Sequence, residues 1–231
     1  MPYLTHVPFA FPGHRQPPHV PVDPEARGRA GGHASFADPL GGHASAGPLG
    51  VDLPLSRGRL FRSAMPFRYD KGELLAEARR EGVRVVVMLV SDKEAEEKTQ
   101  RAVPGASVRT RRASPASTAT APGHDLRAEY ASRDLERIHM PIRDYGVPEG
   151  PEKDAFEKSV ADCVKALGGD RNVLVHCAAG IGRTGMFLAC VLRRIEKIDG
   201  GEAVLRVRSV PGMAGAIETQ AQEDFVHLFP P

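Results

Sequence analysis

One segment of the 231-residue chain decides its fold, and it reads Val173-Leu174-Val175-His176-Cys177-Ala178-Ala179-Gly180-Ile181-Gly182-Arg183-Thr184-Gly185. Its apolar start predicts a short strand over Asn172 to His176, and the apolar run after the glycines predicts a helix over Thr184 to Ile195. Because Gly180 and Gly182 tolerate unusual dihedral angles and close contacts, the loop backbone can wrap around an oxyanion. The segment therefore predicts an anion-binding loop between a buried strand and a helix N-terminus.

Two side chains of this loop indicate its chemistry. Arg183 carries a fixed fork of N–H donors that matches two oxygens of a phosphate group. Cations and helix N-termini lower the pKa of a cysteine thiol to roughly 3.5–7.5, so Cys177 is placed to act as a thiolate nucleophile beneath a bound phosphorus atom. The competing interpretation is a buried core cysteine beside an unrelated arginine.

The rest of the chain alternates between strand and helix patterns. The β-branched run Val83 to Val90 is typical of a strand buried on both faces, as in a parallel sheet. Further strands are predicted over Arg59 to Phe61 and Leu135 to Ile142. Helices are predicted over Lys71 to Glu81, Ser91 to Arg101, Asp154 to Leu167, Gly201 to Val207 and Glu218 to Leu228. This alternation predicts an α/β fold with a central, mostly parallel sheet flanked by helices.

The first 56 residues differ in composition from the rest. They are rich in proline, glycine and histidine, and Gly-Gly-His-Ala-Ser occurs at residues 31–35 and again at 41–45. Such a segment buries too little apolar surface to offset its ordering entropy, so we predict an N-terminal extension over residues 1–56 and a folded domain over 57–231. Two alternatives are a histidine-bearing metal-binding tail and a tail that docks in a groove through Tyr3, Leu4, Val7, Phe9 and Phe11.

Composition also indicates which partners and which cellular compartment to expect. The chain has 31 Lys and Arg against 29 Asp and Glu, which argues against nucleic acid as a partner. Three cysteines without a close pair favour a reducing compartment. No apolar stretch is long enough for a membrane span, and no signal-peptide pattern opens the chain, so the cytoplasm is the expected location. Secretion by a route that needs no such signal stays open, and the sequence carries no signal for an oligomeric state.

The pattern His-Cys-x5-Arg-Thr-Gly at residues 176–185 resembles the signature of the cysteine-dependent protein tyrosine phosphatases, in particular their compact dual-specificity members. The similarity extends over roughly residues 57–229. Residues 58–66 resemble the entry strand and turn of the dual-specificity branch, and residues 218–222 resemble the late loop that positions water. The resemblance implies a protein tyrosine phosphatase-like fold and a mechanism that needs no metal or cofactor.

The resemblance also implies roles for individual residues. Cys177 is the nucleophile, and Asp144, which lies 33 residues before it on a loop, is the general acid; Asp134 is a poorer rival on spacing. Thr184 donates a hydrogen bond to the departing thiolate, and His176 orients the loop and favours the thiolate. The phosphate is bound by the loop residues Ala178, Ala179, Gly180, Ile181, Gly182 and Arg183.

Other assignments have close rivals in the sequence. Gln222 is the candidate for placing the attacking water, with Gln220 and Glu218 as neighbours. Glu94 is the candidate for holding Arg183, with Glu96 and Glu97 close by. Cys163 and Cys190 lie on predicted helices as core residues, with a protective disulfide to Cys177 as the alternative.

The loop itself suggests the substrate. Members of the superfamily that act on inositol phospholipids often carry lysines between the cysteine and the arginine, and none is present here. We therefore expect a phosphorylated protein or peptide as substrate, with phosphotyrosine preferred and phosphoserine or phosphothreonine also open. The alternatives are an inositol phosphate or phosphoinositide phosphatase that uses Lys93 or Lys98, a catalytically dead phosphate-binding module, and a sulfurtransferase or arsenate reductase.

Overall fold

A computed structural model of the chain describes residues 3–8, 58–68, 72–99 and 123–231. Within them, five strands form one sheet in the order β1-β2-β5-β3-β4. The strands are β1 (Thr5–Val7), β2 (Leu60–Ser63), β3 (Val83–Met88), β4 (Glu136–His139) and β5 (Asn172–His176). Only β1 is antiparallel to its neighbour, and the other pairings are parallel. The predicted α/β fold with a mostly parallel sheet is thus confirmed.

The helices cover the sheet and each other. They are α1 (Glu73–Arg80), α2 (Asp92–Thr99), α3 (Leu126–Ala131), α4 (Glu152–Gly168), α5 (Gly182–Glu196), α6 (Gly200–Ser209) and α7 (Gln220–Leu228). Nearly all of α5 is buried, because it packs against β5 and against α4, α6 and α7. Its stretch from Met186 to Leu192 is entirely apolar, and such a stretch needs these surroundings.

The central position of β5 determines where the chemistry can occur. β5 lies between β2 and β3, and four of its five residues, Val173 to His176, are buried. In parallel sheets the loops that bind ligands follow the carboxyl ends of the strands. The loop after His176 therefore opens at the middle of the sheet, with β2 on one side and β3 on the other.

Two elements were not predicted as secondary structure. Helix α3 buries only Leu126 and Tyr130 and begins at Asp125, whose carboxylate accepts a hydrogen bond from the N–H of Ala128 at 3.1 Å. Six residues are too few for a helical period to stand out. Strand β1 lies inside the extension predicted over residues 1–56, and its pairing partner β2 is distant in sequence.

Some predictions fall outside the described residues. These are the repeat at residues 31–45 and the docking of Phe9 and Phe11. Leu4 and Val7 are buried, as the docking alternative predicts, but the Tyr3 side chain is exposed, and the segment is held as an edge strand of the sheet instead of lying in a groove. Among the described residues, none of the helices combines the length and apolarity that a membrane crossing requires.

Candidate active site

The loop between β5 and α5 is held tightly against its neighbours. Gly180 has a φ of 78°, and a Cβ there would lie 2.2 Å from the carbonyl oxygen of Ser63 on β2. A Cβ on Gly182 would lie 2.1 Å from the Glu218 carboxylate. Position 180 therefore requires glycine, because its φ is positive and the contact is with backbone, whereas a side chain at Gly182 would need the Glu218 side chain to move. The Gly180 N–H points at the sulfur of Cys177 at 3.2 Å, so the loop directs at least one backbone donor at the thiol.

Arg183, at the start of α5, is buried with its guanidinium fixed from two sides. Its Nη1 donates to Glu94 at 2.9 Å and to the carbonyl of Ile142 at 2.9 Å, while Nη2 donates to the other Glu94 oxygen at 2.8 Å. Burial alone would lower the pKa of Arg183, but the hydrogen bond to Glu94 and the neighbouring acidic groups raise it. The predicted contact between Glu94 and Arg183 is confirmed. Its two parallel hydrogen bonds fix the orientation of the guanidinium.

Asp144 lies beside this arginine and is half-exposed. One carboxylate oxygen is 2.8 Å from Arg183 Nη2 and the other is 3.2 Å from Lys98 Nζ. Lys98, near the end of α2, also lies 3.1 Å from Glu94. Burial acts against the charge of Lys98, but hydrogen bonds to the two carboxylates outweigh it and raise its pKa. The two carboxylates and two cations form one network of alternating charge.

These residues surround a small cavity of about 90 Å³. Cys177, Ala178, Ala179 and Arg183 contribute to it from the loop and the start of α5, and the other lining residues are Arg68, Lys98, Asp144, Tyr145 and Glu218. The predicted nucleophile, the predicted general acid and the predicted phosphate-binding arginine thus line one pocket. Arg68 and Tyr145 were not singled out from the sequence, whereas Glu218, named there as a neighbour of Gln222 in the loop that positions water, lines the cavity in its place.

His176 lies behind the loop and does not reach the cavity. Its Nδ1 is 3.0 Å from the carbonyl of Cys177, and its Nε2 is 2.7 Å from the hydroxyl of Tyr130 on α3. A carbonyl only accepts, so Nδ1 carries the proton and Nε2 accepts from Tyr130. Burial lowers the pKa of His176 to about 4, so the ring is neutral at neutral pH. His176 therefore acts on the loop through a hydrogen bond and contributes no positive charge to it.

Two further predicted residues lie close to the loop but outside the cavity lining. Thr184 is buried, and its hydroxyl has no hydrogen-bond partner among the described residues. Gln222 is buried, accepts from the N–H of Glu218 at 2.9 Å and donates to the carbonyl of Gly146 at 3.2 Å. Gln222 therefore connects α7 to the loop that carries Asp144, and its role in placing water stays a prediction.

Other residues that the sequence offered for the site lie away from the cavity. Asp134 is exposed in the turn after α3, and Lys93 on α2 pairs with Glu97 at 3.9 Å. Cys163 and Cys190 are buried and free, as is Cys177. Burial raises the thiol pKa of both helix cysteines, which fits core residues.

Comparison with known proteins places the chain in a family. A family model described as Tc-R-P, a DSP-PTPase phosphatase of polymorphic toxin systems, matches residues 68–196, which is more than half of the chain. The chain belongs to this family. As a DSP-PTPase it is a member of the cysteine-dependent protein tyrosine phosphatase superfamily, and the matched range includes Glu94, Asp144, Cys177 and Arg183.

One curated relative is similar to this DSP-PTPase over part of its length. Cyclin-dependent kinase inhibitor 3 of Rattus norvegicus is 34% identical over 92 residues, which are 39% of this chain and 42% of the relative. The match thus spans less than half of that curated relative.

Two solved structures resemble this protein in fold. Kinase associated phosphatase, with its catalytic cysteine replaced by serine, shares the fold with a TM-score of 0.57 at 21% identity over 74% of this chain and 85% of that one. Tk-PTP in its active form has a TM-score of 0.51 at 26% identity over 72% of this chain and 88% of that one.

Proposed function

We propose that this DSP-PTPase hydrolyses phosphate monoesters, with phosphotyrosine in proteins as the preferred substrate, through a phosphocysteine intermediate. The observation that carries the proposal is the convergence of Cys177, Arg183 and Asp144 on one small cavity. A nucleophile, an anion-binding arginine and a proton donor are the groups that phosphoryl transfer to a side chain needs.

In the first step, the Cys177 thiolate attacks phosphorus while the bond from phosphorus to the leaving oxygen breaks. Arg183 and the loop N–H groups neutralise the phosphoryl oxygens, and Glu94 and the Ile142 carbonyl hold the guanidinium in place. Asp144 acts in its protonated form, after it has left Arg183, and gives its proton to the leaving oxygen. In the second step, water attacks phosphorus, Asp144 takes a proton from it, and the phosphorus–sulfur bond breaks to release phosphate and the thiolate.

Because Asp144 is paired with Arg183, the substrate phosphate must displace it before the first reaction step. Asp144 occupies Nη2 of Arg183, a donor that also suits a phosphate oxygen. We propose that the substrate phosphate replaces Asp144 on Nη2 and that Asp144, still held by Lys98, turns toward the leaving oxygen. Thr184, whose buried hydroxyl has no partner among the described residues, donates to the thiolate when it is released, and Gln222 fixes the acid loop during both steps.

The inositol phosphate or phosphoinositide alternative needs free cations for extra phosphates. Lys98, the lysine at the cavity, is already paired with Asp144 and Glu94, and Lys93 is on the exposed part of α2. These contacts favour a substrate with a single phosphate. The cytoplasmic location remains part of the proposal, and so does a folded domain over residues 57–231, to whose sheet β1 is added.

Phosphate release in the presence of EDTA tests it. The wild type and Cys177→Ser are compared on a phosphotyrosine peptide, a phosphothreonine peptide and a phosphoinositide. We expect release from the phosphotyrosine peptide above the other two, and none in the variant. Preference for the lipid would overturn the substrate assignment. A folded wild type with no activity on any of the three substrates would support the binding-module alternative.

A further inference from the structure

The N-terminal strand β1 forms an edge of the sheet although it is remote from the domain in sequence. Residues 9–57 lie between it and the residues that lead into β2. The register pairs Thr5 with Arg62, His6 with Phe61 and Val7 with Leu60. A strand on so long a connection is held by its contacts and by the local concentration that the tether provides, as an added peptide strand would be.

Three kinds of contact hold β1 in place. Val7 is completely buried and Leu4 nearly so, which places two apolar anchors in the core. The Glu77 carboxylate of α1 accepts hydrogen bonds from the N–H of Tyr3 at 2.8 Å and of Leu4 at 3.3 Å. Strand pairing to β2 is the third. Backbone pairing gives affinity to such a site, and side-chain pockets with a carboxylate give it selectivity.

The partner strand β2 is also the support of the phosphate-binding loop. Ser63 at its end pairs with His176, and the Ser63 carbonyl lies where a Cβ on Gly180 would be. Just beyond β2, the N–H of Met65 donates to the carbonyl of Ala178 at 3.1 Å. β2 is therefore held by β1 on one side and contacts the loop through its carboxyl end.

We propose that the outer edge of β2, together with Glu77, is a strand-binding site whose occupant is residues 3–8 of the same chain, and that its occupancy sets the affinity of the loop for phosphate. An unpaired edge strand opens more readily than a paired one. Without β1, the end of β2 holds Ala178 and Gly180 less firmly. This inference rests on the proposed function only in that the loop binds phosphate.

The test uses the full chain with a buried and an exposed substitution at adjacent positions. Val7→Asp places a carboxylate in the core, whereas Pro8→Asp adds the same charge at an exposed residue. The first measurement is the Kd of inorganic phosphate, and the second is amide hydrogen exchange over residues 60–65 and 178–182. For Val7→Asp we expect a Kd at least about fivefold higher, at the lower end of typical coupling between sites, and faster exchange in both ranges. Pro8→Asp should match the wild type.

A synthetic peptide of residues 1–8, added in trans, should restore the phosphate affinity of Val7→Asp in a dose-dependent way, and a scrambled peptide should not. Glu77→Ala is the second variant, because it removes the carboxylate without disturbing the core. It should shift Kd and exchange in the same direction by a smaller factor.

Three results would overturn the inference. One is unchanged phosphate affinity when exchange shows that β2 is exposed in Val7→Asp. Another is unchanged exchange in both Val7→Asp and Glu77→Ala, since the strand would then not depend on these contacts. The third is a wild type that binds no phosphate, which would overturn the proposed function as well, whereas the first two leave that function intact.

Discussion

His176 is held neutral in the fold, and this makes stability depend on pH in a defined window. The ring is completely buried between the Cys177 carbonyl and the Tyr130 hydroxyl. Burial lowers its pKa from 6.5 to about 4. As pH falls below 6.5, the unfolded chain gains a proton that the folded chain does not bind. The contribution of the neutral His176 ring to the free energy of unfolding is therefore complete above pH 6.5, and it is lost as pH falls toward about 4.

The size of this loss follows from the two pKa values of His176. Between about pH 7.5 and about pH 5, the difference in proton binding by this one group is worth roughly 2 kcal/mol. A typical domain has only about 5–15 kcal/mol of stability, so the effect is measurable. His176→Gln removes the titration and keeps an oxygen that can accept from Tyr130.

The assay is urea unfolding of both proteins at the two pH values. We expect the wild type to lose about 2 kcal/mol more than His176→Gln on moving to the lower pH. The comparison cancels other titrating groups, because both chains share them. Equal losses in the two proteins would refute the conclusion that His176 is buried as the neutral ring.

Three further substitutions test the network around Arg183. Glu94→Ala leaves the buried guanidinium of Arg183 with fewer partners. Urea unfolding at neutral pH should therefore show a free energy of unfolding lower by about 3 kcal/mol, and the rate of phosphate monoester hydrolysis should fall. Asp144→Asn removes the proton donor, so kcat on the phosphotyrosine peptide should fall by about 10²–10⁴ and by less on 4-nitrophenyl phosphate, whose leaving group needs no proton. Lys98→Met releases Asp144 from one side, so kcat on the phosphotyrosine peptide should fall roughly tenfold, less than for Asp144→Asn.

Each of the three predictions has a matched control variant or a result that would contradict it. Glu97→Ala, on the same helix as Glu94, should leave stability and hydrolysis near the wild type. Equal losses on both substrates in Asp144→Asn would argue against proton donation by this residue. Lys93→Met is the control for Lys98→Met, and equal effects of the two would mean that the general charge of α2 matters and not the contact with Asp144.

The loop and its supports were predictable because the signal is local. Cys177, the glycines and Arg183 lie within seven consecutive residues between a strand and a helix, and their chemistry requires this spacing. The contact of Glu94 with Arg183 was predicted from the resemblance, although the sequence alone does not separate Glu94 from its acidic neighbours on the polar helix α2.

Contacts that depend on tertiary packing were less predictable. Tyr130 reaches His176 from a helix of six residues, which is too short to show a period. Lys98 was considered only as a ligand for extra phosphates, whereas the structure places it between two carboxylates. Strand β1 was missed because only three residues form it, and their stability comes from β2 and Glu77 far away in sequence.

The central claim is that phosphate passes through the sulfur of Cys177. The direct measurement is rapid acid quenching of the full chain during turnover of an aryl phosphate, followed by mass spectrometry of its peptides. The account predicts one phosphoryl group on the peptide that contains Cys177 and none in the Cys177→Ser variant. Turnover by Cys177→Ser at the wild-type rate, or a phosphoryl group on a different residue, would contradict it.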